Sequence, residues 1–341
     1  MATMRYITVA AALLLAMPGA AGPAAAQAKY QAKIAHLEAA TQPRHRGIEA
    51  VAKLVKERTG GEVEFQIFPA AQLGNAKQIN EGVQLGSIEA TVMPASFLDG
   101  FNTAVSVLDI PYLYPADRAK ASALRQGKFG DAVLKTFEAK GFVPVALWPN
   151  GRKIMTSNKP IDTLAAFKGQ RFRVMDSKIL IEQFAAVGAS AVALQFGEVY
   201  TSLQTGVIDG QENPADTIAT MKFFEVQKNV LVTEHGALED VVLFGKPFWG
   251  RLPAGHRDVI AKAFRETAAQ VEANKEAAQK TAMETIAKAG LKITMADAAM
   301  QAALRAEMYP KARAAYLARS GADGEALIKT YEEEYKRLVG G

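Results

Sequence analysis

The chain has 341 residues, about two domains at the usual domain size, and its 49% hydrophobic and 22% charged residues are those of a folded soluble protein, not a disordered, collagenous or coiled-coil one. Lys and Arg number 40 against 35 Asp and Glu, and the net charge of +5 is spread along the chain without the basic block that a nucleic-acid partner needs. The absence of cysteine excludes disulfide frameworks, thiolate zinc sites, iron–sulfur clusters and thiol nucleophiles.

At the N-terminus Arg5 precedes an apolar run over 7–17, then Pro18 and Gly19, then small residues ending in Ala26-Gln27-Ala28. This is the pattern of a secretory signal peptide, residues 1–28, and the run is shorter than the ~20 apolar residues that span a bilayer. Cleavage fits after Ala26 or after Ala28, and the second is preferred because a strand-like pattern begins directly after it. No cysteine follows the apolar run, so no bacterial-type lipid anchor is expected, and the mature chain is expected to be a soluble monomer in the periplasm.

Residues 30–37 nearly alternate apolar and polar as a strand does, and 47–59 carry helical spacing that ends at Gly60-Gly61. Residues 63–68 alternate again, 72–75 make a turn, and 76–84 return to helical spacing until Gly86 stops it. Further β-rich runs fall at 90–93, 142–147, 153–157 and 171–175, with helical stretches between them. Such alternation predicts an α/β fold with parallel sheets. Over 253–289, Ile260, Phe264, Val271, Ala278, Ala282 and Ile286 keep a three-to-four spacing with no glycine or proline between them. A single helix of that length is roughly 50 Å long, more than one domain needs, and is expected to bridge two lobes. Two helices with a break near Asn274 are the alternative.

No G-x-S-x-G elbow, phosphate loop, G-x-G-x-x-G fingerprint or H-E-x-x-H pair occurs, so the common enzyme motifs give no support to catalysis. None of His36, His45, His235 and His256 has a partner at metal-ligand spacing, and no metal or cofactor is expected. His45 and His256 read as solvent-exposed. His36 and His235 fall near strand ends, each either an ordinary hydrogen-bonded histidine or a cleft-lining one. Asp209-Gly210 begins like a calcium loop, but Val207, Gln211 and Asn213 do not supply the alternating carboxylates that calcium requires.

The run 171–175 places Arg171, Arg173 and Met175 on one face of a strand and Phe172 and Val174 on the other. An arginine at the carboxyl end of such a strand overlooks the crevice where open α/β sheets bind ligands, and its planar fork of donors matches a carboxylate. A surface salt bridge is the competing reading of the same pattern.

The run at 197–214, Gly-Glu-Val-Tyr-Thr-Ser-Leu-Gln-Thr-Gly-Val-Ile-Asp-Gly-Gln-Glu-Asn-Pro, preceded by Gly-Gln-Arg-Phe-Arg-Val at 169–174, closely resembles the DctP-type solute-binding proteins of tripartite ATP-independent periplasmic (TRAP) transporters. The likeness extends through Gly60-Gly61, Gln72-Leu73-Gly74, Ile110-Pro111-Tyr112, Gly151-Arg152 and 157–161, then through 222–228 and Thr233-Glu234-His235. It implies a two-lobed periplasmic-binding-protein-like fold closing on a small organic acid, with residues 29–150 and 239–278 in lobe I, 151–238 and 279–341 in lobe II, and the helix at 253–289 running across both. It also implies delivery of that acid to integral membrane subunits.

Carried over position by position, the resemblance implies that Arg173 clamps the ligand carboxylate, that Arg152 assists it and that Asn213 orients the ligand. A turn amide capping the next helix is the alternative for Asn213, and Glu198 and Tyr200 are equally explained by helix start and packing. Ser177 stands where its hydroxyl meets an anion at a helix start. Trp148, Phe97 and Met175 are candidate apolar walls, with buried packing as the alternative for each. Phe224 and Asn229 depart from the family pattern where aromatic or hydroxyl side chains are common, and Ala95 stands where sialic-acid binders carry a glutamate, which disfavours a sugar acid. A C4-dicarboxylate is the first expectation and a hydroxy, keto or aromatic monocarboxylate the second. A ligand-presenting partner of a membrane sensor kinase and a periplasmic enzyme acting on organic acids are the competing functions.

Overall fold

The computed structural model describes residues 28–340, so the signal-peptide pattern lies almost wholly outside the described residues. Among the described residues nine strands form one sheet: β1 (Tyr30–Ala35), β2 (Val63–Phe68), β3 (Ala90–Pro94), β4 (Phe142–Ser157), β5 (Arg171–Val174), β6 (Ser190–Ala193), β7 (Gly210–Asn213), β8 (Asn229–Gly245) and β9 (Lys292–Met295). The helices are α1 (Pro43–Arg58), α2 (Ala76–Leu85), α3 (Arg118–Gln126), α4 (Lys128–Lys135), α5 (Lys178–Ala185), α6 (Val199–Gln204), α7 (Ala215–Thr220), α8 (Lys246–Arg251), α9 (Ala254–Lys288) and α10 (Ala298–Val339).

Strand order is β2-β1-β3-β8-β4-β7-β5-β6, with β9 on β8. The sheet is mixed. β1 pairs in parallel with β2 and β3, and β5 with β6 and β7, whereas β3–β8, β4–β8 and β4–β7 are antiparallel. The purely parallel expectation is corrected at the centre, where β4 and β8 pair from Phe142 opposite Gly245 to Ser157 opposite Asn229 and run through both halves of the molecule. The two separate strands expected at 142–147 and 153–157 are one, because Pro149 and Gly151 make a bulge and not a break. Gly151 takes φ 114°, a left-handed conformation open to glycine at little steric cost, and the register shift there carries the strand on into the second half.

Local chemistry explains the helix ends. Asn75 and Gln78 form a reciprocal capping box at the start of α2, and Gly86 in the left-handed region closes it. α1 begins at Pro43, four residues before the expected start, because proline at the first helical turn needs no amide partner. α9 runs 35 residues without interruption at Asn274. Its Ile260, Phe264 and Val271 pack with β1, β2, β3 and α1, while Ala282 and Ile286 pack with α6, α7 and the start of β8, so one helix braces both halves. α10, bent at Gly321, buries Leu304, Met308, Tyr316 and Tyr331 in a third cluster with Phe129, Phe142 and Phe184.

Candidate functional site

Where the two halves meet, a small, partly open cavity lies between them. Leu37, Glu38, Arg44, Pro94, Phe97 and Asn150 line it from one side. Met175, Phe196, Asn213 and Thr217 line it from the other, with Leu238 of β8 between. Its walls are thus largely apolar with a few polar groups, the usual make-up of a small-molecule site.

Arg173 stands beside this cavity on β5, in register with Val192 on one neighbour and Gln211 on the other. It is fully buried. Nε and Nη2 donate to the Leu194 carbonyl at 3.1 and 2.8 Å, and Nη1 has no partner among the described residues. The guanidinium centre lies 5.9 Å from the centroid of the Phe97 ring. Burial draws its pKa down to about 10, against the pull of Glu212 and Glu198, so it remains charged at neutral pH. Arg171, two residues earlier, makes the surface salt bridge of the competing reading, with Nε 3.1 Å from Asp209 Oδ2.

Asn213 ends β7, buried, with Nδ2 donating to Gln211 Oε1 at 2.6 Å, and Pro214 after it opens α7. Its neighbour Glu212 faces elsewhere, into a buried network in which it accepts from Lys153 Nζ at 2.5 Å and Gln183 Nε2 at 2.7 Å. His235 Nε2 lies 2.6 Å from the same carboxylate and its Nδ1 2.6 Å from Thr233 Oγ1, so His235 is the hydrogen-bonded histidine of the two alternatives. Burial works to raise the Glu212 carboxyl, but Lys153 and His235 hold it far below the usual range.

Phe97, Met175 and Asn213 therefore lie together at the cavity with Arg173 beside them. Four other residues singled out in the sequence lie elsewhere. Arg152 lines a separate space with Arg118 and Gln279, and its Nη2 donates to the Pro115 carbonyl at 2.5 Å. Trp148 points to the opposite face of β4, where its ring sits 5.3 Å from Phe264 and its Nε1 donates to the Phe264 carbonyl at 2.7 Å; it is core, with no part in the cavity wall. Ser177 occupies the N-cap position of α5 without capping it, and its buried Oγ has no partner among the described residues. His36 lies at the end of the chain segment leading to Leu37 and Glu38, with Nε2 3.0 Å from His45 Nδ1. Burial first, and Arg44 second, lower its pKa to about 3 and keep it neutral.

His45, expected at the surface, is buried against His36 because the earlier start of α1 turns it inward, and His256 is half-buried with Nε2 3.0 Å from Glu62. Sequence reasoning also missed a buried ion network at the cavity. Arg44 grips Asp240 through two 2.7 Å bonds and lies 3.3 Å from Glu38, and Lys275 Nζ of α9 lies 3.2 Å from Glu38 and 2.8 Å from Asp216. Among the described residues no group of three or more acidic or histidine side chains is arranged to hold a metal, and no helix is long and apolar enough to cross a membrane.

Two α/β halves joined by long shared strands, a bracing helix and an interlobar cavity beside a buried cation define the class of two-lobed solute-binding proteins for anionic ligands. The chain belongs to the bacterial extracellular solute-binding protein family 7 (DctP), whose profile matches residues 34–318. It is 36% identical over 262 residues to the C4-dicarboxylate-binding periplasmic protein DctP of Rhodobacter capsulatus, covering 76% of each chain. Its fold matches a TRAP periplasmic solute-binding protein of Desulfovibrio salexigens with bound orotic acid, at 63% identity and TM-score 0.90, covering 91% of this chain and 100% of that one. It also matches one from Sulfurospirillum deleyianum with bound succinate, at 30% identity and TM-score 0.81, covering 89% and 99%. The protein is a periplasmic TRAP-type solute-binding protein for small organic acids.

Proposed function

We propose that the protein captures a planar ring carboxylate of the orotate kind and delivers it unchanged to membrane-embedded transporter subunits. The observation that carries this reading is Arg173: a buried guanidinium with Nη1 unpaired among the described residues, lying over the Phe97 ring. A buried cation requires an anion, and here the neighbouring walls are Phe97, Met175 and Phe196, which suit the faces of a flat ring. The Desulfovibrio salexigens protein, with orotic acid bound, supports the same class.

The C4-dicarboxylate is the second reading, favoured by the 36% identity to the Rhodobacter capsulatus protein. It needs a second cation for the second carboxylate. Arg152 lines a different space, and the Nε and Nη2 of Arg44 already face Asp240 and Glu38. Calorimetric titration with orotate, succinate, malate and fumarate separates the two. Tight orotate binding with recovery of unaltered orotate supports the proposal, and tight binding of a dicarboxylate alone overturns it.

A further inference from the structure

Glu38 and Asn150 stand on the same cavity and share an unusual condition. Glu38 follows β1 and is 3% exposed; its Oε1 faces Arg44 and Lys275, while its Oε2 is buried without a partner among the described residues. Asn150, in the β4 bulge, is fully buried; its Nδ2 donates to Asp240 Oδ1 at 3.0 Å, and its Oδ1 is likewise without a partner. Asp240 already receives both bonds from Arg44 and offers only acceptors, so the Asn150 amide nitrogen must face it and the amide oxygen must face away. Two acceptors without donors thus belong to one cavity, in a structure class where buried polar atoms are nearly always satisfied.

We infer that Glu38, assisted by Asn150, determines ligand specificity by accepting hydrogen bonds from neutral ring N–H groups of the bound acid. This rests on the reading of the cavity as the ligand site and sharpens it to a class: cyclic amide or imide carboxylates, which carry N–H donors and C=O acceptors in one plane. The arrangement divides the labour. Arg44 and Lys275, not Arg173, are the cations that act on Glu38, so the carboxylate of the ligand and its N–H groups meet different parts of the protein.

Charge points the same way. Burial tends to raise the Glu38 carboxyl, but Arg44 and Lys275 beside it prevail and hold it at about 2, ionised throughout the physiological range. A second ligand carboxylate against it meets like charge. A ring lacking N–H groups leaves both acceptors unpaired. Sites built to bond a polar ligand group discriminate strongly against analogues without it, because the protein groups are then stranded.

The test is calorimetric titration of wild type and Glu38→Gln with three probes: orotate, benzoate as a flat monocarboxylate without N–H groups, and succinate. The inference expects wild type to bind orotate at least a hundredfold tighter than benzoate, and Glu38→Gln to narrow that gap at least tenfold with benzoate little changed. If Glu38→Gln does not fold, Asn150→Ala takes its place and the wild-type gap stands as its own measurement. Benzoate binding as tightly as orotate overturns the inference and leaves the ring-carboxylate reading intact, as does a gap that survives Glu38→Gln. Succinate binding while both ring acids fail overturns the inference together with the proposed function.

Discussion

Arg173 and Phe97 meet across the junction of the two halves, guanidinium over ring, with 5.9 Å between their centres. The arginine comes from β5 and the ring from the short 3-10 turn Ala95–Leu98, two segments far apart in the chain. Arg173→Ala is expected to weaken ligand binding by about 2 to 5 kcal/mol, the cost of stranding a desolvated carboxylate. Arg173→Lys should also weaken it, since an ammonium cannot bond Leu194 and a carboxylate with the same planar fork. Unchanged affinity in Arg173→Ala by calorimetry would sink the assignment.

Lys275 ties Glu38, after β1, to Asp216, at the start of α7, from its place on α9. Substituting Lys275→Met keeps most of the apolar stem, leaves Asp216 buried without its cation and leaves Glu38 with Arg44 alone, a loss of about 3–5 kcal/mol to the closed form. Small-angle scattering should give wild type a smaller radius of gyration at saturating ligand, and the variant should stay near its unliganded value. Identical curves for wild type with and without ligand would contradict a closing hinge.

Asp109 accepts from Ser96 Oγ at 2.5 Å, and burial pushes its carboxyl up to about 6 despite Lys153 nearby. A raised carboxyl binds its proton more tightly in the folded state, so its contribution is complete below about pH 4 and is lost as pH rises through about 6. Asp109→Asn is neutral at every pH and should gain on wild type between pH 4 and pH 7.5, by about 2–3 kcal/mol. Paired denaturant melts at the two pH values check this. A variant that loses ground as pH rises would mean that the carboxylate is needed by Lys153.

Trp148 is held by packing on Phe264 and by its bond to the Phe264 carbonyl. Trp148→Phe should cost about 1–3 kcal/mol of stability through lost volume and the lost indole hydrogen bond. Ligand affinity should stay within twofold, because the residue lies behind the sheet from the cavity. A tenfold loss of affinity in a stably folded variant would return Trp148 to the pocket wall.

Elements whose residues answer to their immediate neighbours were legible. β2 alternates apolar and polar, α2 carries its own cap and stop, and the apolar stripe of α9 runs without a glycine or proline. Of β8, 17 residues long, the sequence showed only a strand end near His235, which lies inside the strand. Its middle holds His235, Glu239 and Asp240, which break the apolar run that a central strand normally shows. They are buried only because Glu212, Arg125 and Arg44 meet them, and Arg125 and Arg44 lie 114 and 196 positions away along the chain. The sheet is mixed for a related reason, since antiparallel pairing of β4 with β8 depends on where the chain returns and not on either strand alone.

The same division separates the two arginines. Strand period marked Arg173 as a candidate, and the resemblance to DctP-type proteins implied the family and the roles of Arg173 and Arg152; the α/β class and the long bracing helix follow from residue type and local spacing. Where each cation sits was decided by tertiary structure alone: Arg173 lies beside Phe97 with no partner for Nη1 among the described residues, while Arg152 is turned to Pro115. The placement of Glu38, Arg44 and Lys275 was decided in the same way. A charge becomes functional or structural according to its desolvation and its partner, and both are set by chain segments that come together only when the molecule folds.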